Sequence, residues 1–191
     1  MSYLNELNQI INEVRVFGDS SDKEMSYDDG MEYLVNIFLE HKRKGTTIFF
    51  IGNGGSAAIA CHMTADFLKN GGMNTCSLYN SSVITCLGND YGYEYVFSKQ
   101  LEMLMKEGDL LVAISSSGNS PNIVKAIETA KEKKGRVVSF TGFQADNTAK
   151  SMSHVSIYVP CEKYGMVESI HNVMLQQAVD TIMEREKSGK K

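Results

Sequence analysis

Four apolar residues in a row, Ile48 to Ile51, stop abruptly at Gly52, and after Ser56 the apolar positions return at helical spacing. Short apolar runs bounded by turn residues read as buried strands at 47–51, 74–78, 110–114, 136–140 and 154–159. Between and after them, helical spacing predicts helices over 55–70, about 81–87, 93–106, 121–134, 144–151 and 167–186. Upstream, Leu4, Leu7, Ile11 and Val14 recur at helical spacing, and "GDSSDKE" breaks the pattern at 18–24. A second helix follows over 27–44, with Ser26 as cap and Gly45 as stop. Strands alternating with helices predict an α/β fold, a five-stranded parallel sheet with helices on both faces and right-handed crossovers. Two helices within residues 1–45 precede an α/β core over 46–191, and they suit an oligomer interface.

Composition narrows the class of protein. The chain has 191 residues, enough for one domain with a sizeable core, and no linker or repeat divides it. Its net charge of −4 argues against broad attraction to nucleic acid or membrane surfaces. No apolar window approaches the length of a membrane span, and "MSYLNELNQI" lacks a signal-peptide core, so a cytoplasmic protein is expected. The lysines that close the chain, Lys187, Lys190 and Lys191, read as a solvated tail. Cys61, Cys76, Cys86 and Cys161 show no C-x-x-C spacing, and reduced, buried thiols are expected.

The chemistry concentrates in two loops. Gly52-Asn53-Gly54-Gly55-Ser56 joins the first sheet strand to its helix almost without side chains, so backbone N–H groups can approach a ligand and the helix N-terminus favours an anion. "AISSSGNSPN" follows the third strand and supplies the hydroxyls of Ser115, Ser116, Ser117 and Ser120. Ser120 suits an N-cap and Pro121 the first helical position. Hydroxyls and free N–H groups at a helix start suit a phosphate monoester, and both loops fall at carboxyl ends of strands, where α/β sheets bind ligands. "GNGGSA" also fits G-x-G-x-x-A. A dinucleotide site needs an acid near the end of the second strand, which here reads "CSLYNSS", and no P-loop motif is present. A small phosphorylated ligand is therefore preferred to NAD or ATP.

The stretches "GNGGSAA" with His62 behind it, "CLGNDYGYEYVFSKQL", "AISSSGNSPNIVKAI" and "VPCEKYGMVESIH" occur in the order and spacing of a known family. Over nearly its whole length the chain resembles the phosphoheptose isomerases of the sugar isomerase (SIS) domain proteins. The resemblance implies a flavodoxin-like three-layer sandwich assembled as a homotetramer with sites between subunits. It also implies conversion of sedoheptulose 7-phosphate to D-glycero-D-manno-heptose 7-phosphate, an early step toward the heptose of lipopolysaccharide, capsule and related glycans. By motif, Ser115, Ser116, Ser117 and Ser120 would hold the phosphate, while Asn53, Gly54, Gly55, Ser56, Asn89 and Asp90 would bind the sugar and line the site.

The resemblance fails at one set of positions. Family members carry a zinc site built from H-x-x-x-E on the first sheet helix and a Gln and a His on the last. The matching residues here are His62, Asp66, Glu168 and Gln176. Aldose–ketose isomerisation moves a carbon-bound proton through an enediol and needs a base together with an acid or metal. Gln176 stands where the family has an acid–base histidine, and an amide does not titrate near neutral pH. Asp66 or Glu168 would then be the base, with Gln176 beside them, and the harder donor set leaves zinc less assured. Two rescues suggest themselves: His171, one turn from Glu168, or a carboxylate pair of Asp66 and Glu168. The alternatives to a phosphoheptose isomerase are a non-catalytic SIS protein that senses a sugar phosphate, and an isomerase for another phosphorylated sugar. The tyrosines of "YGYEYVF" and most methionines read as core or interface packing.

Overall fold

The computed structural model describes residues 2–19 and 24–189. Residues 20–23 of the expected break, and Lys190 and Lys191 of the expected tail, lie outside the described residues. The chain begins with α1 (Tyr3–Asn12), whose Ser2 cap accepts a hydrogen bond from the Asn5 N–H at 3.3 Å. Two short strands follow, β1 (Arg15–Phe17) and β2 (Glu24–Met25). Next, α2 (Tyr27–Lys44) is capped by Ser26 and stopped by Gly45 at φ +67°, the ends its sequence predicts.

The alternating core consists of β3 (Ile48–Gly52), α3 (Gly55–Lys69), β4 (Thr75–Ser77), α4 (Ser81–Tyr91), a 3₁₀ turn at Tyr93–Tyr95 and α5 (Ser98–Leu104). It continues through β5 (Leu110–Ser115), α6 (Pro121–Glu132), β6 (Arg136–Thr141), α7 (Thr148–Met152), β7 (Val155–Tyr158) and α8 (Tyr164–Lys187). The helix expected over 93–106 is broken: Gly92, at φ +101°, ends α4 and turns the chain into the 3₁₀ segment before α5 begins. The helix expected from 144 starts only at Thr148, because the Asn147 side chain accepts the Lys150 N–H and caps it there. The last helix starts at Tyr164, three residues before the apolar pattern indicates.

The sheet order is β2-β1-β7-β6-β5-β3-β4. Strands β4, β3, β5, β6 and β7 are parallel, in the 2-1-3-4-5 order of flavodoxin-like folds. Strands β1 and β2 extend the β7 edge in antiparallel fashion, making seven strands where five were expected. They are three and two residues long, too short to show a period, and Val16 is the buried residue between them. Side chains alternate between two cores. Ile48, Phe50, Val112, Ile114 and Phe140 face α2, α3 and α8, while Phe49, Ile51, Leu111 and Ala113 face α5 and α6. The result is a three-layer α/β sandwich with helices on both faces.

The N-terminal helices belong to the first of these layers. Leu34 and Phe38 of α2 are fully buried against the sheet, whereas α1 leaves Tyr3 and Leu4 exposed. Helix α4 buries no residue within the chain. No helix among the described residues is long and apolar enough to cross a membrane. Strand β3 has β4 on one side and β5 on the other, so the strand order reverses there and leaves a crevice at their carboxyl ends.

Candidate phosphosugar site

The glycine loop that leaves β3 passes under a carboxylate. A Cβ on Gly55 would lie 2.4 and 2.6 Å from the two carboxylate oxygens of Glu168, so only glycine lets α8 bring that side chain against the start of α3. Gly54 just before it, at φ +54° and ψ −120°, has no side chain to cap α3, and the first N–H groups of the helix stay open.

The serine loop leaves the neighbouring strand β5 and is held from below. Gly118, at φ +65°, donates its N–H to the Ser115 carbonyl and hydroxyl oxygens at 3.0 and 3.2 Å. Ser117 Oγ accepts from the Asn119 N–H at 3.3 Å. The first turn of α7 braces the loop: the Ala149 N–H donates to the Gly118 carbonyl at 2.8 Å, and the Thr148 N–H to Asn119 Oδ1 at 2.9 Å. Ser120 precedes Pro121 at the start of α6, yet its hydroxyl makes no capping bond. Ser116 is buried and its Oγ has no hydrogen-bond partner. An orphaned buried hydroxyl costs on the order of 1–3 kcal/mol, and native proteins rarely carry one without reason.

These two loops enclose a cleft of about 110 Å³ lined by Asn53, Ser56, Ser115, Ser116, Ser117, Ser120, Tyr164 and Glu168. Helices α3, α6 and α8 all begin at its rim, so three positive dipole ends converge there. The electrostatics favour an anion and the hydroxyls supply its further hydrogen bonds. Glu168, set against that positive field, is the carboxylate among the lining residues.

Tyr164 and Asn122 escaped the sequence reading. Tyr164 lines the cleft because α8 starts earlier than its apolar pattern shows. Asn122, in the first turn of α6 and buried, exchanges amide hydrogen bonds with Asn53 at 2.9 and 2.8 Å and so ties the glycine loop to the serine-loop helix. Tyr93, expected to be packing, is exposed and donates its hydroxyl to Asn53 Oδ1 at 3.1 Å. Asn53 is thus partly occupied as a latch. Asn89 and Asp90 lie outside the cleft. They are exposed at the end of α4, where the Asn89 amide donates to Asp90 Oδ1 at 2.9 Å and the Cys86 thiol to Asp90 Oδ2 at 3.6 Å.

The four positions that correspond to a zinc site separate into two places. Helices α3 and α8 run parallel, with Gly55 beside Glu168 at one end and Asp66 beside Gln176 at the other. Gln176 Nε2 donates to Asp66 Oδ2 at 2.9 Å, and His62 Nε2 lies 3.7 Å from the same oxygen. At ~1.5 Å of helix rise per residue, Asp66 lies about 16 Å along α3 from Gly55, and Gln176 about 12 Å along α8 from Glu168. Among the described residues, no three His, Cys, Asp or Glu side chains are grouped as a metal site needs. Zinc bonds of roughly 2.0–2.3 Å cannot span such a gap, so His62, Asp66, Glu168 and Gln176 of one chain do not fit the ion together.

The rescue through His171 fails on burial. His171 is fully buried under the sheet, edge-on to Phe140, with Nε2 bonded to the Thr141 carbonyl at 3.1 Å and Nδ1 without a partner. Burial pushes its pKa down to about 4, with the Thr141 bond opposing, so it is a neutral core residue. The cysteines are free, as expected, but none is in the core: Cys61 and Cys86 are exposed, and Cys76 and Cys161 are partly so.

The sequence pattern of the SIS domain family matches residues 3–142. The phosphoheptose isomerase of Akkermansia muciniphila is 38% identical over 165 residues, 83% of this chain and 86% of that protein. That of Clostridium acetobutylicum is 34% identical over 175 residues, 88% of each. The structure of the phosphoheptose isomerase from Neisseria gonorrhoeae aligns with a TM-score of 0.81 at 29% identity over 94% of both chains. The matched residues 3–142 span both loops of the cleft and the strands that carry them, β3 and β5. The chain belongs to the SIS domain family, in its phosphoheptose isomerase branch.

Proposed function

We propose that this protein isomerises sedoheptulose 7-phosphate and D-glycero-D-manno-heptose 7-phosphate at the cleft between the glycine and serine loops. The observation that carries the reading is the buried, unpartnered Ser116 hydroxyl in a cleft where three helices begin and one carboxylate looks in. The phosphate takes Ser115, Ser116, Ser117 and Ser120, which leaves Glu168 and the Asn53–Ser56 loop for the sugar. From the ketose, Glu168 removes a proton from C1, and the C–H electrons form the C1–C2 double bond as the C2 oxygen takes a proton. The enediol then loses its O1 proton to restore a carbonyl at C1, while the glutamic acid returns a proton to C2. No step is routed through zinc.

Asp66, held by Gln176 and His62, is too far along α3 to reach the cleft of its own chain. We therefore read the assembly as a homotetramer in which the Asp66 end of one chain completes the cleft of another and supplies the acid for the enediol oxygens. Supporting this, α4 buries nothing within the chain, and Leu4 at 73%, Leu68 at 55% and Val173 at 42% exposure are left uncovered. A doubly charged sugar phosphate does not cross a bilayer, which supports reading the enzyme as cytoplasmic, upstream of heptose for lipopolysaccharide or capsule.

The test follows proton exchange by NMR with sedoheptulose 7-phosphate in deuterated buffer. Aldose product carrying deuterium at C2 is expected, and Glu168→Gln should lower its rate at least a hundredfold while binding persists. Ligand shifts without any aldose product in the parent protein would reject the enzyme in favour of a sugar-phosphate sensor.

A further inference from the structure

Strand β4 ends one step too early to hold the glycine loop. Its pairing with β3 runs from Ile48 with Thr75 to Phe50 with Ser77, and stops. On its other flank β3 stays paired with β5 as far as Gly52 with Ile114. In a parallel ladder the N–H and C=O of one residue point to the same neighbour. Those of Gly52 point to the flank that β4 has left, directly beneath the cleft. A side chain takes the place of the missing strand: the Gly52 N–H donates to the Tyr79 phenol oxygen at 2.6 Å, and the phenol donates back to the Gly52 carbonyl at 2.8 Å.

The phenol is fixed for this task. Its ring sits edge-on against Phe97 at 5.5 Å, and the backbone before it is held by buried Gln100, whose amide donates to the Leu78 carbonyl at 3.1 Å. Burial raises its pKa, so the hydroxyl keeps the proton it donates. Asn53, the next residue of the loop, is latched separately by Asn122 and Tyr93. The serine loop has independent support from α7.

We propose that Tyr79 is a positioning residue of the site: its hydroxyl replaces a β-strand partner at Gly52 and thereby aims the Asn53–Ser56 loop and the start of α3 at the sugar. This rests on the phosphosugar reading of the cleft. Tyr79 is not among the residues that line the cleft. Without the hydroxyl, the Gly52 peptide loses both partners and turns or takes up water, which shifts the sugar-side loop and leaves the phosphate-side loop in place.

Tyr79→Phe tests this against Tyr27→Phe, which removes another phenol hydrogen bond, to Gln177 on α8, away from the cleft. In Tyr79→Phe, amide exchange at Gly52 is expected to accelerate at least tenfold, and amide signals of residues 53–56 to shift while those of 116–118 stay. Inorganic phosphate affinity should hold within twofold as kcat for sedoheptulose 7-phosphate falls at least tenfold. Tyr27→Phe should show neither effect. Unchanged Gly52 exchange, or equal losses of phosphate affinity and kcat, would overturn the proposal. If the parent protein does not turn over the sugar, the isomerase reading fails by itself. The exchange and amide-shift measurements then still decide the role of Tyr79, since they need no turnover.

Discussion

Gly118→Ala carries a cost that divides into two parts, and a second glycine can separate them. Gly118 and Gly45 have nearly the same backbone, at φ +65° and +67°. Placing alanine in the left-handed region costs about 1–2 kcal/mol at either site. At Gly45 a Cβ meets nothing within 4 Å, so that is the whole expected effect. At Gly118 it would stand 2.0 Å from Asn147 Oδ1 and 2.3 Å from its Cγ. Asn147 cannot simply swing aside. It is 1% exposed, caps α7 through the Lys150 N–H at 2.9 Å and donates to the Gln144 carbonyl at 2.8 Å. Displacing it forfeits a cap worth about 1 kcal/mol and leaves buried polar groups unpartnered at about 1–3 kcal/mol more.

The expected loss is therefore about 4 kcal/mol for Gly118→Ala against about 1 kcal/mol for Gly45→Ala. For a chain of this size that corresponds to roughly 12 °C and 3 °C in Tm. Urea unfolding at one protomer concentration gives both values, because association shifts the apparent stability. Adding Asn147→Ala to Gly118→Ala removes the collision, so the double variant should lose less than the two single losses combined. A Gly118→Ala protein within 1 kcal/mol of Gly45→Ala, or strict additivity with Asn147→Ala, would refute the claim that α7 sets the shape of the serine loop.

Ser116→Ala should separate stability from binding: unfolding in urea stays unchanged or improves by up to about 1 kcal/mol, since a buried unpartnered hydroxyl is removed, while phosphate affinity falls about tenfold in titration calorimetry. Lower stability with intact affinity would mean that the hydroxyl serves the fold. His171 and His41 both titrate near pH 4 rather than 6.5, each mainly because of burial, with Arg136 adding to the effect at His41. The unfolded chain therefore binds more protons between pH 6.5 and 4, and stability should be full above 6.5 and fall toward 4, by about 3 kcal/mol for the fully buried His171 and by less for His41. Urea midpoints across that range should show a shallower slope in His171→Leu. Mixing the inactive variants Glu168→Gln and Asp66→Asn should restore part of the turnover if each cleft uses both chains. No recovery after confirmed subunit exchange would place both carboxylates outside a shared site.

The fold was legible because burial leaves a periodic trace. Phe49 and Phe50 face opposite cores, so β3 is apolar at every position, and its run ends at the glycines that begin the loop. Strands β1 and β2 left no such trace: with one buried side chain at Val16 they depend on the β7 edge, a partner more than a hundred residues away. The site divides along the same line. Loops rich in glycine and serine announce themselves by composition, and the structure brings the two that stand out in the sequence to one cleft. Which side chains meet across helices is set by packing instead. Glu168 and Gln176 share a helix and read as one ligand set, yet α3 and α8 run parallel and carry Asp66 to the far end. His171 is one turn from Glu168 and still points into the core, because one turn of spacing does not specify a direction relative to the sheet. Tyr79 was least visible of all. Its role comes from β4 stopping two residues before it, and a strand end has no composition that names the side chain needed to replace the next hydrogen bond.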